Sequence, residues 1–204
     1  MKFILASTSP NRQQIFDTLG IQYEVQAPHY EEIIRPDISL ETQVELFAKG
    51  KAESVAKNIQ TDEDFCVMGF DSMVELHGKP LGKPQNRTEA FAMIQSFVGQ
   101  TQNIVSGVCL IGQCQGKKFK TVFSESSQIL FRHDISETEI NQFLDFGDWQ
   151  GRCGGYAVSG TAQFLMQTIS GDFSNIIGVP VRRLAQELQT VTGKNIFELI
   201  HISH

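Results

Sequence analysis

Short apolar runs of β type and stretches whose apolar residues recur every three or four positions alternate, imperfectly, along this chain, and that alternation limits the folds open to it. Residues 3–6, Phe-Ile-Leu-Ala, read as a short buried strand that runs directly into a helix. Ser9 supplies an N-cap, Pro10 the first helical position and Gly20 the stop. A second helix is expected over about residues 40–58, where Leu40, Val44, Phe47, Ala48, Ala52 and Val55 recur at helical spacing. Residues 65–74 read as a buried strand interrupted by Asp71, followed by a turn near His77-Gly78 and a return through Leu81. After a helix near residues 89–97, runs at 104–111 and 119–131 flank a turn-like segment at 112–116 and form a hairpin or two neighbouring strands in the middle of the sheet. Ser136-Glu137-Thr138-Glu139 is a capping box for a helix that stops before Gly147. A glycine-rich segment at 151–160 leads to a strand at 163–169 and a last helix at 181–192, ended by Gly193. The expected fold is α/β: a mixed, twisted sheet flanked by helices, and not a regular Rossmann unit, because no G-x-G-x-x-G follows a strand.

No repeat, low-complexity tract or linker divides the 204 residues, so a single domain over 1–204 is expected, with one core or one core pinched into two lobes. The 23 acidic residues outnumber the 17 basic ones, which argues against a general grip on DNA or RNA. An anionic ligand would then be small and met locally, by a few convergent cations and a metal. Cys66, Cys109, Cys114 and Cys153 lack C-x-x-C spacing and read as reduced thiols, three of them packed in apolar runs. The opening residues are too few and too little apolar for a signal peptide or a membrane span, so a cytoplasmic protein without a membrane partner is expected.

Charges in unexpected places are the useful clue to a site. Arg12 falls in the first turn of the first helix, where the macrodipole disfavours a cation. An anion held by the free N–H groups after Ser9, the hydroxyls of Ser7 and Ser9 and the guanidinium would reverse that effect; the alternative is an arginine reaching into solvent. Lys51 lies seven residues after Val44, about 20° away around a helix, so it sits in the apolar stripe and should point inward or snorkel past the core edge. Lys49 and Lys57 fall off the stripe and serve as controls. Asp71 follows Phe65-Cys66-Val67-Met68-Gly69-Phe70, and a carboxylate there must be hydrogen-bonded, paired or bound to a cation, or else close a strand on turn amides. Lys83 is held on a stiff Gly82-Lys83-Pro84 segment that suits a phosphate contact, or is a solvated loop lysine. Glu31-Glu32 is either a solvated acidic turn or the source of a magnesium ligand.

His29, His77, His133, His201 and His204 show no metal-binding spacing, and none is assigned a role. Neither a G-x-S-x-G elbow nor a P-loop motif is present.

These positions fall in segments that together resemble the Maf family of nucleotide pyrophosphatases over nearly the whole chain. Leu5-Ala6-Ser7-Thr8-Ser9-Pro10-Asn11-Arg12 is similar to the family's L-A-S-x-S-P-x-R, followed by the acidic pair Glu31-Glu32. Ala48-Lys49-Gly50-Lys51-Ala52 resembles A-x-x-K-A, Gly69-Phe70-Asp71-Ser72 resembles G-A-D-T, and Leu81-Gly82-Lys83-Pro84 contains G-K-P. The segments at 154–160 and 171–175 resemble A-G-x-Y-x-I-x-G and G-D-Y-x-N. The resemblance implies an elongated, two-lobed fold like that of inosine triphosphate pyrophosphatases with a central cleft, dependence on Mg²⁺ or Mn²⁺, often a homodimer, and cleavage of an NTP to the monophosphate and pyrophosphate. Asp71, helped by Glu32, would then hold the metal, with Arg12, Lys51 and Lys83 on the phosphates and Asp71 serving the attacking water. Two positions depart from members acting on dTTP and UTP: Asn11 stands for a second arginine and Ser159 for a glutamine. The base therefore stays open between a pyrimidine and 7-methyl-GTP. A nucleotide sensor in cell division that binds without cleaving is the alternative from another class, ahead of an RNA-binding module.

Overall fold

Lys2–Ala6 forms strand β1, and the chain leaves it through Ser7 to enter helix α1, Pro10–Thr18, with Ser9 as N-cap. This computed structural model describes residues 1–200, which leaves His201 and His204 outside the described residues. Next come β2 (Tyr23–Val25), α2 (Leu40–Ala56), β3 (Phe65–Leu76), β4 (Lys79–Leu81), α3 (Arg87–Phe97), β5 (Thr101–Cys114), β6 (Lys117–Phe131) and α4 (Glu137–Asp145). Two short 3-10 segments, Cys153–Gly155 and Thr161–Leu165, precede β7 (Met166–Ser170), α5 (Phe173–Ile177), α6 (Val181–Thr192) and α7 (Ile196–Leu199). The strands form a seven-stranded mixed sheet in the order β2-β1-β3-β5-β6-β7, with β4 paired to β3. Among the described residues no helix is long and apolar enough to cross a membrane.

The chain divides into two units. One comprises Met1–Ser72, Ser106–Glu125 and the chain from Gly178 on. In it β1 runs parallel to both β2 and β3, and its continuous apolar sequence has a direct cause: both of its faces are buried. Phe3 and Leu5 pack with Phe16 of α1 and with Leu184 and Leu188 of α6, while Ile4 and Ala6 pack with Ala48, Ala52 and Val55 of α2.

The other unit comprises Met73–Val105 and Ser126–Ile177. Its core gathers Ala90, Ile94 and Phe97 of α3 with Ile140, Phe143 and Leu144 of α4 around Ile129, Phe131 and Tyr156. The capping box expected at Ser136 forms, with Ser136 Oγ accepting from the Glu139 N–H at 3.2 Å and Glu139 accepting from the Ser136 N–H at 2.9 Å. The strand expected at 163–169 starts later, because Thr161–Leu165 winds into a 3-10 segment first. β2, α5 and α7 have no counterpart in the sequence-based expectation; each is five residues or shorter.

Candidate active site

Parallel pairing sets Ala6 opposite Gly69, so the chain leaves β1 beside the stretch of β3 that carries Phe70, Asp71 and Ser72. Carboxyl ends of parallel strands are where α/β sheets commonly bind ligands. Gly69 lets α2 come close: a Cβ on it would overlap the Ala48 carbonyl oxygen and stand 2.8 Å from the Ala52 nitrogen. That approach carries Lys51 to β3. Its Nζ donates to Asp71 Oδ1 at 2.7 Å and to the Phe70 carbonyl at 3.4 Å, and pairs with Glu32 Oε1 at 2.6 Å. With its side chain only 12% exposed, Lys51 points inward and does not snorkel; Lys57 is exposed and Lys49 half-buried.

Glu32 sits in a segment without regular structure that α2 nevertheless holds at several points. The His29 N–H donates to Ser54 Oγ at 3.1 Å, the Arg35 N–H donates to Gln43 Oε1 at 2.7 Å, and the Tyr30 ring fills the space a side chain on Gly50 would need. Gly50 thus has a local reason to stand beside Lys51.

Arg12 does not reach into solvent. It donates from Nε to the Gly178 carbonyl, from Nη1 to Ser7 Oγ and from Nη2 to Ser72 Oγ, each at 3.2 Å, and its guanidinium carbon lies 5.9 Å from the centre of the Phe70 ring. These bonds engage three of the five N–H donors that a guanidinium carries. Gly178 has a φ of +112°, and a Cβ there would come within 3.2 Å of both Arg12 Nε and Ser72 Oγ, so a side chain at 178 would strain the backbone and crowd the guanidinium. Ser7 Oγ also accepts from the Ser9 N–H at 3.2 Å, which turns that hydroxyl into its own loop. Ser9 makes no side-chain capping bond.

Asp71 is 6% exposed. Loss of water pushes its carboxyl above the ordinary range; Lys51, and after it Arg12, pull it back, and Glu32 pushes it up again. Burial lowers Arg12, while Asp71 and Glu32 raise it, and a guanidinium remains charged throughout. Two carboxylates and two cations therefore offset one another in formal charge.

The donor set suits a hard divalent cation. Such an ion takes one or two carboxylates and completes its shell with water and substrate phosphate, and Glu32 and Asp71 supply two carboxylates that already share one cation, Lys51. Among the described residues no three His, Cys, Asp or Glu side chains gather, so a closed cage built from protein groups alone is not the pattern.

Ser7, Arg12, Glu32, Lys51 and Asp71 thus come together in one unit, whereas Lys83 and Ser159 belong to the other. There Lys83 is exposed on a segment anchored by buried Pro84. The Gly154 N–H donates to the Gly82 carbonyl at 3.0 Å, tying the two glycine-containing segments together. Ser159 is exposed in a turn before Gly160. Sequence reasoning missed Ser72, Ser106 and Gly178. The signal that found Asp71 also marks Ser106, a polar residue inside the apolar run Ile104-Val105-Ser106-Gly107-Val108.

A family model described as Maf-like protein matches residues 2–191. A protein of Desulforamulus reducens named dTTP/UTP pyrophosphatase is 34% identical over 186 residues, covering 91% of this chain and 94% of its own length. One of Bacillus pumilus with the same name is 30% identical over 189 residues, covering 93% and 96%. The solved structure of the Staphylococcus aureus Ham1 protein aligns with a TM-score of 0.43 at 16% identity, over 65% of this chain and 73% of that one, a likeness too slight to argue from.

Proposed function

The chain belongs to the Maf-like protein family, and on that premise we propose that it is a nucleoside triphosphate pyrophosphatase acting on pyrimidine nucleotides, dTTP and UTP foremost, in the cytoplasm. Relatives named for those substrates along more than nine-tenths of their length support the choice. One observation carries it: Glu32 and Asp71 meet at the ammonium of Lys51, and Arg12 donates to Ser72, the next residue of β3.

Glu32 and Asp71 are the proposed ligands of Mg²⁺, with Mn²⁺ as the other candidate. When bound, the ion would draw electron density from the phosphate oxygens and compensate their charge. Arg12, caged on one side, presents its remaining N–H groups to the triphosphate, and Lys51 leaves its two carboxylates to share its charge with a phosphate oxygen. Lys83, Ser9 and Ser159 are assigned further substrate contacts on their place in the family segments. Asp71 orients a water and accepts its proton as the water oxygen bonds to the α-phosphorus and the bond to the bridging oxygen breaks. The raised proton affinity that desolvation gives Asp71 suits it to that transfer. Pyrophosphate departs with its charge covered by the cations.

The test is a panel of single triphosphates, including dTTP, UTP and 7-methyl-GTP, incubated with the protein and Mg²⁺ and assayed for pyrophosphate. Release is expected from dTTP and UTP. Preference for 7-methyl-GTP would overturn the pyrimidine assignment, and binding without release would make the protein a nucleotide sensor.

A further inference from the structure

Ser106 is fully buried, within a stretch of β5 where Ile104, Val105, Val108, Cys109 and Leu110 are buried too. A hydroxyl in such a place is unfavourable unless it is hydrogen-bonded. Its Oγ lies 2.9 Å from Ser72 Oγ, and Ser72 Oγ in turn accepts from Arg12 Nη2.

We propose that Ser106 is a positioning residue for nucleotide binding: through Ser72 it holds the Arg12 guanidinium in the orientation that receives a phosphate. The inference rests on the reading of Arg12 as a phosphate ligand. A serine hydroxyl has one hydrogen and two lone pairs. With Arg12 donating to it, Ser72 Oγ spends a second of these sites on Ser106 and is thereby confined to one rotamer. Ser106 is suited to set that rotamer because it sits on a strand packed on all sides, whereas Ser72 is only half-buried. Without the Ser106 hydroxyl, Ser72 can visit the other staggered wells, and Arg12 loses one of its three fixed acceptors. Ser7 and the Gly178 carbonyl remain, so binding weakens and is not abolished. Ser106 touches no substrate in this account, and the same guanidinium contact serves ground and transition states, so the effect falls on affinity more than on turnover.

Calorimetric titration of the full-length protein with α,β-imido-dTTP and Mg²⁺ tests this, using Ser106→Ala, Ser72→Ala and the double variant. Both single variants should raise Kd by about 3–10-fold, the size of a typical net hydrogen-bond contribution. The double variant should match Ser72→Ala alone, because both changes cut the same link. For dTTP hydrolysis kcat should stay within about twofold. Unchanged Kd in Ser72→Ala overturns the proposal even if Ser106→Ala fails to fold. So do losses that multiply in the double variant, or a Ser106→Ala protein that melts earlier yet binds normally. A wild-type protein that binds the analogue but releases no pyrophosphate from dTTP rejects the pyrophosphatase reading and leaves this link measurable; a wild type that binds no triphosphate rejects both.

Discussion

In the unit built on β1 and α2, the polar groups withdrawn from water include charged ones, Asp71, Lys51 and, half-buried, Arg12, beside the neutral Ser7, Gln43, Ser54 and Ser106. In the unit built on α3 and α4 they are chiefly neutral. Gln102 is fully buried and accepts from the Tyr156 hydroxyl at 2.5 Å, and Asn175 donates to the Ile104 carbonyl at 3.2 Å and to Ser127 Oγ at 3.0 Å. A neutral donor can be satisfied by one well-placed acceptor, and the pair then serves the fold. A desolvated carboxylate keeps a field that one lysine does not exhaust, so it stays ready for a ligand. Segments that looked alike in the sequence therefore divide by task. Residues 48–52 and 69–72 build the charged site, whereas Tyr156 packs its ring at 5.4 Å from Phe131 and 6.1 Å from Phe97, and Asn175 ties α5 to the sheet.

That contrast can be broken most directly at Asp71. Asp71→Asn should lower kcat for dTTP by at least about 10²-fold, while the urea midpoint holds, because Glu32 still pairs Lys51 and a neutral amide is easier to bury than a carboxylate. Loss of fold together with activity would show that the charged cluster also supports the first unit. Asn175→Ala should do the reverse: about 2 kcal/mol of stability lost in urea unfolding, for two buried hydrogen bonds, with kcat and KM of the folded protein within about threefold. The smallest effect is expected for Tyr156→Phe, which keeps the ring packing and removes only the hydroxyl donated to Gln102. Urea unfolding should register about 1 kcal/mol, and pyrophosphate release should not change. A larger effect on turnover than on stability in either variant would give that residue a direct part in the chemistry.

The long elements were legible because several local signals agreed. At α2 the apolar spacing ran for four turns, at α4 a capping box preceded an apolar face, and at α6 a left-handed Gly193 ended the helix. β2 was illegible because three residues with mostly exposed side chains show no period, and α5 because five residues are too few to establish a helical period. Within the site, Asp71 and Lys51 announced themselves by standing where a charge is expensive. Ser72 and Gly178 did not, since a serine beside an aspartate within a strand, or a glycine just after a short helix, breaks no rule.

The sequence by itself determined which residues were out of place, through periodicity and the free energy of burying charge, and those are properties of short stretches of chain. Only the tertiary structure decided what those residues meet. Parallel pairing of β1 with β3, the close approach of α2 over Gly69 and the return of the chain at Gly178 join residues up to 166 positions apart. Contacts of that kind depend on how whole elements pack, which no local pattern encodes.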